Sequence, residues 1–124
     1  MSEQRPIRYG AVADTLRPAD LAGYIDHTLL KPEASRADVK KVCGEAKKYH
    51  FASVCVNPSY IKFVAEELAG SGVTPCCVIG FPFGSHTPGA KAAETAQAGA
   101  GGAREGGMVV NLGAVKSGEW DLVE

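Results

Sequence analysis

The sequence predicts an α/β fold in which four parallel strands alternate with helices. Short runs of β-branched and small residues recur at intervals of ~25–30 residues, the usual length of a β/α unit. Apolar residues at helical spacing occupy the segments between these runs. The run at 51–58 has apolar residues on both faces, which is typical of a strand buried on both sides. The predicted strands are 24–30, 51–57, 74–81 and 108–112.

Capping residues mark the boundaries of the predicted helices. Ser35 opens a capping-box pattern, and Pro88 suits the first turn of a helix. His50 stands where a helix commonly ends in a left-handed residue, so we predict a capping role for it rather than a catalytic one. The glycine-rich segment 99–107 predicts an abrupt start for the last strand, and 113–118 is predicted to be a loop. The predicted helices are 36–49, 59–69 and 88–98.

The N-terminal part is predicted to lie outside the sheet. Residues 1–12 have the composition of a flexible tail, and Asp14 is suited to cap a short helix at about 15–22. We therefore divide the chain into residues 1–22, a tail with a short helix, and residues 23–124, a single β/α domain.

Composition argues against several classes of function. The net charge is −1 with both signs interspersed, so nothing indicates a nucleic-acid or membrane partner. The N-terminus has no apolar core of a signal peptide, and no apolar run approaches the roughly 20 residues of a membrane span. The four cysteines lack metal-binding spacing and lie in apolar patterns. They are expected to be reduced, buried thiols of a cytoplasmic protein, and no metal site is predicted.

Several segments resemble deoxyribose-phosphate aldolases. The resemblance runs from about residue 20 to the last residue, and its motifs occur in the order found in that family. It implies that residues 23–124 form the first half of a (β/α)₈ TIM barrel, truncated before strand five. The segments are IDHTLLKP at 25–32, FASVCVNP at 51–58, VIGFP at 78–82 and MVVNLGAVKSG at 108–118.

The resemblance also implies an activity. The family reversibly cleaves 2-deoxy-D-ribose 5-phosphate into acetaldehyde and glyceraldehyde 3-phosphate, a step of deoxyribonucleotide catabolism in the cytoplasm. It is a class I aldolase, in which a lysine forms a Schiff base and neither a metal nor another cofactor is needed. The implied partner is a small phosphorylated sugar, with no nucleic acid and no membrane.

The resemblance assigns roles to six positions. Asp26 matches a polar residue at the end of the family's first strand and is expected to join a proton relay. The position of the family's catalytic aspartate in the fourth strand is occupied here by Gly107. The expected substrate-lining residues are Thr28, Cys55, Asn57 and Asn111. Because all these positions lie at or near strand ends, we expect Asp26, Cys55 and the 81–82 turn to share the carboxyl end of the sheet.

Two departures from the family pattern limit what the chain is expected to do alone. Gly107 offers no carboxylate. Glu105, two positions away, leaves on the same face as residue 107 but from another layer, so it is not expected to substitute. The family's Schiff-base lysine belongs to a later strand than any predicted here. Lys31 and Lys116 follow strand ends but are interpreted as surface charges. The other lysines considered fall on helix faces and are predicted to be solvated: Lys40, Lys41, Lys47, Lys48, Lys62 and Lys91.

Three interpretations remain open at this point. The chain is an aldolase family member of partial length, inactive by itself. Alternatively, it is a non-catalytic half-barrel that acts by associating with itself or with another half, and its open sheet edges are then expected to cause oligomers or aggregates. The third interpretation is a different lyase or a fragment that binds a small molecule through its strand-end residues.

Overall fold

A four-stranded parallel sheet forms the centre of the computed structural model, which describes residues 15–124. The strands are ordered in the sheet as in the chain, so each pairs with the next, in agreement with the predicted architecture. This is the arrangement expected for the first half of a (β/α)₈ barrel. The strands are β1 (Asp26–Leu29), β2 (Ser53–Val56), β3 (Thr74–Ile79) and β4 (Glu105–Met108).

Helices connect the strands and follow the last of them. Helices α2 (Arg36–Tyr49), α3 (Ile61–Leu68) and α4 (Pro88–Ala100) occupy the three connections. The first two confirm helices predicted from apolar spacing, and the third confirms the helix predicted from the Pro88 start. Short 3₁₀ turns precede β1, at Ala22–Tyr24, and α3, at Pro58–Tyr60. The helices are α1 (Pro18–Leu21), α2 (Arg36–Tyr49), α3 (Ile61–Leu68), α4 (Pro88–Ala100), α5 (Leu112–Ser117) and α6 (Trp120–Val123).

Local capping explains where α2 begins and ends. The Ser35 hydroxyl accepts a hydrogen bond from the Asp38 amide, and the Asp38 carboxylate accepts one from the Ser35 amide. At the other end His50 has φ 57° and ψ 46°, and its amide donates to the Ala46 carbonyl. The predicted capping role of His50 is therefore confirmed, since a left-handed residue ends the helix. Thr87 caps α4 by accepting from the Ala90 amide.

The hydrophobic core lies between one face of the sheet and the connecting helices. Val54 and Val56 of β2 and Ile79 of β3 are almost completely buried there. Burying each such side chain contributes about 1.5–3 kcal/mol, so this face supplies most of the stabilisation by the hydrophobic effect. Cys77 of β3 and Val73 belong to the same cluster. The helices contribute its remaining buried members: Val39, Cys43, Ala46, Ile61, Val64, Leu68 and Ala98.

The last strand differs from its prediction. The run 108–112 was predicted as a strand, but β4 covers Glu105–Met108 and includes Gly106 and Gly107. Interior glycines cost up to about 1 kcal/mol each, yet here they pair with Cys77 and Val78 of β3. The hydrogen bonds between β3 and β4 outweigh the low preference of these glycines for a strand. The prediction of a loop at 113–118 is also wrong, because α5, which Asn111 caps, covers most of that segment.

The first strand is shorter than predicted. Residues 22–24, the last of which was assigned to the strand, form a 3₁₀ turn, and β1 begins only at Asp26. The helix predicted at about 15–22 is present as the single turn α1. Asp14 and the predicted tail at 1–12 lie outside the described residues.

Candidate active site

The second face of the sheet is not covered by the helices. Side chains alternate between the two faces of a strand, so the register places every second residue of neighbouring strands on this face. The pairs Asp26–Ser53, Thr28–Cys55, Cys55–Cys76, Cys76–Glu105 and Val78–Gly107 lie side by side across it. We call this the open face; it consists of Asp26, Thr28, Ser53, Cys55, Thr74, Cys76, Val78, Glu105 and Gly107.

Asp26 lies at the amino end of the sheet. It is the first residue of β1 and pairs with Ser53, the first residue of β2. The Ser53 hydroxyl donates a 2.6 Å hydrogen bond to the Asp26 carboxylate, which holds this exposed carboxylate at a defined place. The expectation that Asp26 lies at the carboxyl end with the 81–82 turn is therefore wrong. The strand starts two residues later than predicted, so Asp26 opens it. Asp26 and Cys55 nevertheless share the open face, where the Asp26–Ser53 and Thr28–Cys55 pairs are two positions apart in the register.

Cys55 and Cys76 form the centre of the open face. They are neighbours on β2 and β3, with 8% and 6% of their surfaces exposed. Burial raises the pKa of both thiols, that of Cys76 to about 12, and the nearby Asp26 and Glu105 carboxylates act in the same direction. A protonated thiol is a weak nucleophile, so these cysteines shape the surface rather than attack a substrate.

We expect the four cysteines to react slowly with a thiol reagent while the protein is folded. All four are buried free thiols, and burial raises the pKa of Cys43 to about 11 and that of Cys77 above its usual value. Since only the thiolate reacts, the folded chain at pH 8 should be labelled by Ellman's reagent far more slowly than the chain in guanidinium chloride. Rapid labelling of Cys55 or Cys76 in the folded protein would contradict this arrangement.

Gly107 occupies a position on the open face that can accept a side chain. A Cβ atom built there meets no heavy atom within 4 Å, and its φ lies outside the left-handed region. It pairs with Val78, one layer closer to the carboxyl end than the Cys76–Glu105 pair. Glu105 is exposed and places a carboxylate on the same face beside Cys76. Sequence reasoning noted Glu105 but did not include it among the candidate site residues.

The three remaining predicted site residues make backbone contacts. Thr28, on the open face, donates from its hydroxyl to the Asp26 carbonyl at 2.9 Å. Asn57 donates to the Leu30 carbonyl at 3.2 Å, which ties the ends of β1 and β2 together. The Asn111 side chain accepts from the Ala114 amide at 3.1 Å and so caps α5. Asn111 lies beyond β4, because that strand ends at Met108.

Lys91 was predicted to be solvated, but the structure places it in a specific contact. Its ammonium group donates a 2.9 Å hydrogen bond to the Val109 carbonyl, just beyond the end of β4. Three residues along α4, the Glu94 carboxylate accepts a 2.7 Å hydrogen bond from the Gly80 amide, just beyond the end of β3. Both groups of α4 therefore hold the carboxyl ends of β3 and β4, and Lys91 serves the backbone rather than a substrate.

Lys31 and Lys116 also lie away from the open face. Lys31 is exposed after β1 and lies close enough to Asp38 to help lower the pKa of that carboxyl, after the larger effects of the Ser35 hydroxyl and amide. Lys116 is exposed in the last turn of α5. The positions of the open face thus carry no lysine or arginine among residues 15–124.

The two histidines near strand ends have different surroundings. His27 points to the helix side of the sheet, where its ring contacts the Glu45 carboxylate at 2.7 Å and lies 4.9 Å from the Phe51 ring. This contact lowers the pKa of Glu45. His86 lines an apolar cleft of about 470 Å³ beside β4, between α4 and the C-terminal residues. Neither histidine belongs to the open face.

Neither a metal site nor a membrane span is found in the part of the chain that the structure describes. Within residues 15–124, no group of three or more His, Cys, Asp or Glu side chains is arranged to hold a metal ion. Among the same residues, every helix is too short or too polar to cross a bilayer.

Solved structures define the class of protein. A deoxyribose phosphate aldolase from Aeropyrum pernix, described as having a unique tetrameric structure, matches 81% of this chain with a TM-score of 0.76 and 37% identity. The aldolase QR15 matches 84% of the chain with a TM-score of 0.79 and 36% identity. The chain covers 43% and 46% of these two proteins. The fold is therefore that of the N-terminal half of a TIM-barrel aldolase.

Curated relatives identify the family. The deoxyribose-phosphate aldolase of Streptococcus gordonii is 59% identical over 101 residues, and that of Clostridium novyi is 54% identical over 105 residues. No protein-family model matches the chain. The chain belongs to the deoxyribose-phosphate aldolases. The two matches include 82% and 85% of this chain but only 46% and 47% of the relatives. The chain therefore spans about half the length of these relatives.

Proposed function

We propose that this chain supplies the first half of the active site of a class I aldolase acting on 2-deoxy-D-ribose 5-phosphate. The observation that carries the proposal is the open face, where the Asp26 and Glu105 carboxylates flank the paired thiols of Cys55 and Cys76. The names of the Streptococcus gordonii and Clostridium novyi relatives support the substrate. The four free cysteines support a place in the reducing cytoplasm, where deoxyribonucleotide catabolism would use this reaction.

The proposed reaction needs a lysine and at least one proton acceptor. A neutral lysine amine adds to the C1 aldehyde and loses water, which gives an iminium ion. A base then removes the proton of the C3 hydroxyl, and the electrons of the C2–C3 bond move into the iminium as glyceraldehyde 3-phosphate leaves. Protonation at C2 and hydrolysis release acetaldehyde and restore the lysine. Of these parts, Asp26 and Glu105 can supply proton transfer, and Thr28 lies two residues from Asp26 on β1.

The isolated chain is proposed to lack the activity. No lysine of residues 15–124 stands on the open face, and the resemblance places the Schiff-base lysine in a later strand. The carboxylate of the family's fourth strand is replaced by Gly107. Because the members of a catalytic unit act together, absence of the nucleophile alone removes most of the rate.

Trapping the Schiff base tests the proposal. The chain is incubated with acetaldehyde and sodium borohydride, beside a longer protein in which it is joined to the second half of the Streptococcus gordonii aldolase. We expect the longer protein to gain the mass of one ethyl group on a single lysine, since borohydride reduces the iminium to a stable amine. The 124-residue chain should show only slow, scattered labelling.

The control separates specific trapping from general lysine reactivity. Variants Lys31→Arg and Lys116→Arg remove the two lysines that follow strand ends, and neither should change the labelling of the longer protein. Absence of trapping in a folded longer protein would reject the Schiff-base mechanism. Stoichiometric trapping at Lys31 or Lys116 of the 124-residue chain would reject the proposed inactivity.

A second candidate function is a non-catalytic half-barrel that associates with copies of itself. It is favoured by the edge positions of β1 and β4, which leave unpaired N–H and C=O groups. Exposed apolar side chains in β4 and in the segment after it also favour association, since Met108 and Trp120 are each 61% exposed. A fragment that binds a small molecule in the cleft beside β4 would be a variant of this function.

A further inference from the structure

We infer that Lys91 and Glu94 are positioning residues of the proposed aldolase, which place residue 107 through the backbone without contacting the substrate. The inference rests on the proposed function, because position 107 matters only if a carboxylate there takes part in the reaction. The two side chains leave one face of α4 and reach the ends of two neighbouring strands. We call these contacts the strand-end clamp; it consists of Gly80, Lys91, Glu94 and Val109.

Each charged side chain of the clamp binds a backbone group just beyond a strand. The Glu94 carboxylate accepts from the Gly80 amide at 2.7 Å, and the Lys91 ammonium group donates to the Val109 carbonyl at 2.9 Å. β3 and β4 each end one residue before these groups. Both contacts are partly buried, and hydrogen bonds to an ionised group are stronger than those between neutral groups. The clamp therefore fixes the two strand ends relative to α4.

The Lys91 side chain passes directly over Gly80 on its way to the end of β4. A Cβ atom at Gly80 would lie 3.1 Å from Cε of Lys91 and 3.3 Å from its Cγ. Gly80 also has φ +61°, a conformation that residues with a side chain disfavour. A larger residue at this position would push the lysine away from the Val109 carbonyl. The glycine and the aliphatic part of the lysine thus fit each other closely, as a positioning contact requires.

The clamp acts on position 107 through two residues of backbone. The Val109 amide donates to the Ile79 carbonyl at 3.0 Å, while the Val109 carbonyl accepts from Lys91. The segment directly after Gly107 is therefore tied to β3 and to α4 at the same time. Residue 107 itself is exposed on the open face, away from α4. A misplacement of about 1 Å at a reacting group can cost about 10²-fold in rate, so the clamp bears on catalysis from the other side of the sheet.

A purely stabilising role of the clamp predicts a different result. It would lower the free energy of unfolding and leave the rate per folded molecule unchanged, whether residue 107 is glycine or aspartate. A positioning role instead lowers the rate where a carboxylate at 107 has to be placed. The coupling between residues 91 and 107 distinguishes the two roles.

The test is a double-mutant cycle in the longer protein that joins this chain to the second half of the Streptococcus gordonii aldolase. Rates per folded molecule are compared for Gly107 and Gly107→Asp, each with Lys91 or with Lys91→Met. We expect the gain in kcat from the aspartate, about 10²–10⁴-fold with Lys91, to shrink by about tenfold or more in the Lys91→Met background. KM should change by less than about twofold, since neither clamp side chain contacts the substrate.

Two further variants complete the cycle. Lys91→Arg keeps a cationic donor for the Val109 carbonyl and should restore most of the gain. Lys62→Met is the matched control, because Lys62 is an exposed lysine of α3, and it should leave the gain unchanged. An equal gain from the aspartate in the Lys91 and Lys91→Met backgrounds would overturn the inference. Absence of any gain with Lys91 in place would overturn it as well, since no carboxylate at 107 would then need placing.

Amide hydrogen exchange of the 124-residue chain tests the clamp without catalysis. In Lys91→Met and in Glu94→Met, segments 80–84 and 107–110 should exchange about tenfold or more faster than in the wild-type chain, while β2 changes by less than about twofold. Glu94→Gln keeps an acceptor for the Gly80 amide and should stay close to the wild-type chain. An increase spread evenly over the sheet would show general destabilisation and would also overturn the inference.

The inference and the proposed function fail in different ways. Absence of a trapped iminium in the folded longer protein, with Lys91 in place, rejects the proposed function and this inference with it. Normal trapping without coupling between residues 91 and 107 keeps the aldolase and rejects the positioning role of the clamp.

Discussion

The 124-residue chain is expected to show no measurable cleavage of 2-deoxy-D-ribose 5-phosphate, whether residue 107 is glycine or aspartate. The open face provides carboxylates but no lysine, and a carboxylate cannot form the iminium that accepts the electrons of the broken bond. A carboxylate added at position 107 therefore has no iminium intermediate to which it could transfer protons. The same substitution should have a large effect once the lysine is present.

Four proteins separate these contributions. They are the chain itself and the chain joined to the second half of the Streptococcus gordonii aldolase, each with Gly107 or with Gly107→Asp. Initial rates of glyceraldehyde 3-phosphate formation are measured in a coupled assay. In the longer protein the aspartate should raise the rate by about 10²–10⁴-fold, the usual contribution of a positioned general acid or base. The side chain fits, because a Cβ atom at Gly107 meets nothing within 4 Å.

Two other outcomes of the rate measurements would each assign a catalytic role to a different residue. Activity of the short chain with Gly107 would contradict the proposal and point to Lys31 or Lys116 as a nucleophile. Equal rates of the two longer proteins would show that Asp26 or Glu105 already performs the proton transfers. A Glu105→Gln variant of the longer protein then tells these two carboxylates apart, since only one of them would be changed.

The substitution Gly84→Ala should destabilise the fold more than any other glycine-to-alanine change outside the regular elements. Gly84 has φ +66°, and its amide donates to the Gly80 carbonyl at 2.8 Å. A Cβ atom there would overlap the Val110 carbonyl oxygen and lie 2.8 Å from Cγ1 of Val109. The loop after β3 would have to move away from the segment after β4. Such overpacking typically costs about 1–3 kcal/mol in addition to the strain of a left-handed alanine.

Gly70→Ala is the matched control for this measurement. Gly70 has a similar φ of +74°, but a Cβ atom at that position meets nothing within 4 Å. It should therefore lose only the roughly 1–2 kcal/mol of left-handed backbone strain. Urea unfolding of both variants and the wild-type chain gives the comparison. Equal losses of unfolding free energy would mean that the loops after β3 and β4 do not pack as closely as described.

The sequence by itself determined the alternation of strands and helices and the ends of several elements. These features depend on neighbouring residues. Apolar spacing predicted α2 and α3, and Pro88 marked the start of α4. The Ser35 pattern marked the start of α2, and His50 ended it in the left-handed conformation. Helical spacing and capping are short-range effects, so they can be interpreted from a few consecutive residues. The motifs at 25–32, 51–58 and 108–118 likewise pointed to the family that the relatives confirm.

Only the tertiary structure decided where the last strand lies and what the site contains. Local preference disfavours a strand through Gly106 and Gly107, but hydrogen bonds to β3 place β4 there and leave Asn111 to cap α5. The same pairing sets Glu105 beside Cys76 on the open face.

The tertiary structure also decided where Asp26 lies along the sheet and which group Lys91 contacts. Asp26 opens β1 because its ladder with β2 begins at Ser53, and Lys91 reaches the Val109 carbonyl across the interface between α4 and the sheet. Both contacts join residues far apart in the chain. Their formation depends on the relative placement of whole elements, about which short sequence patterns carry little information.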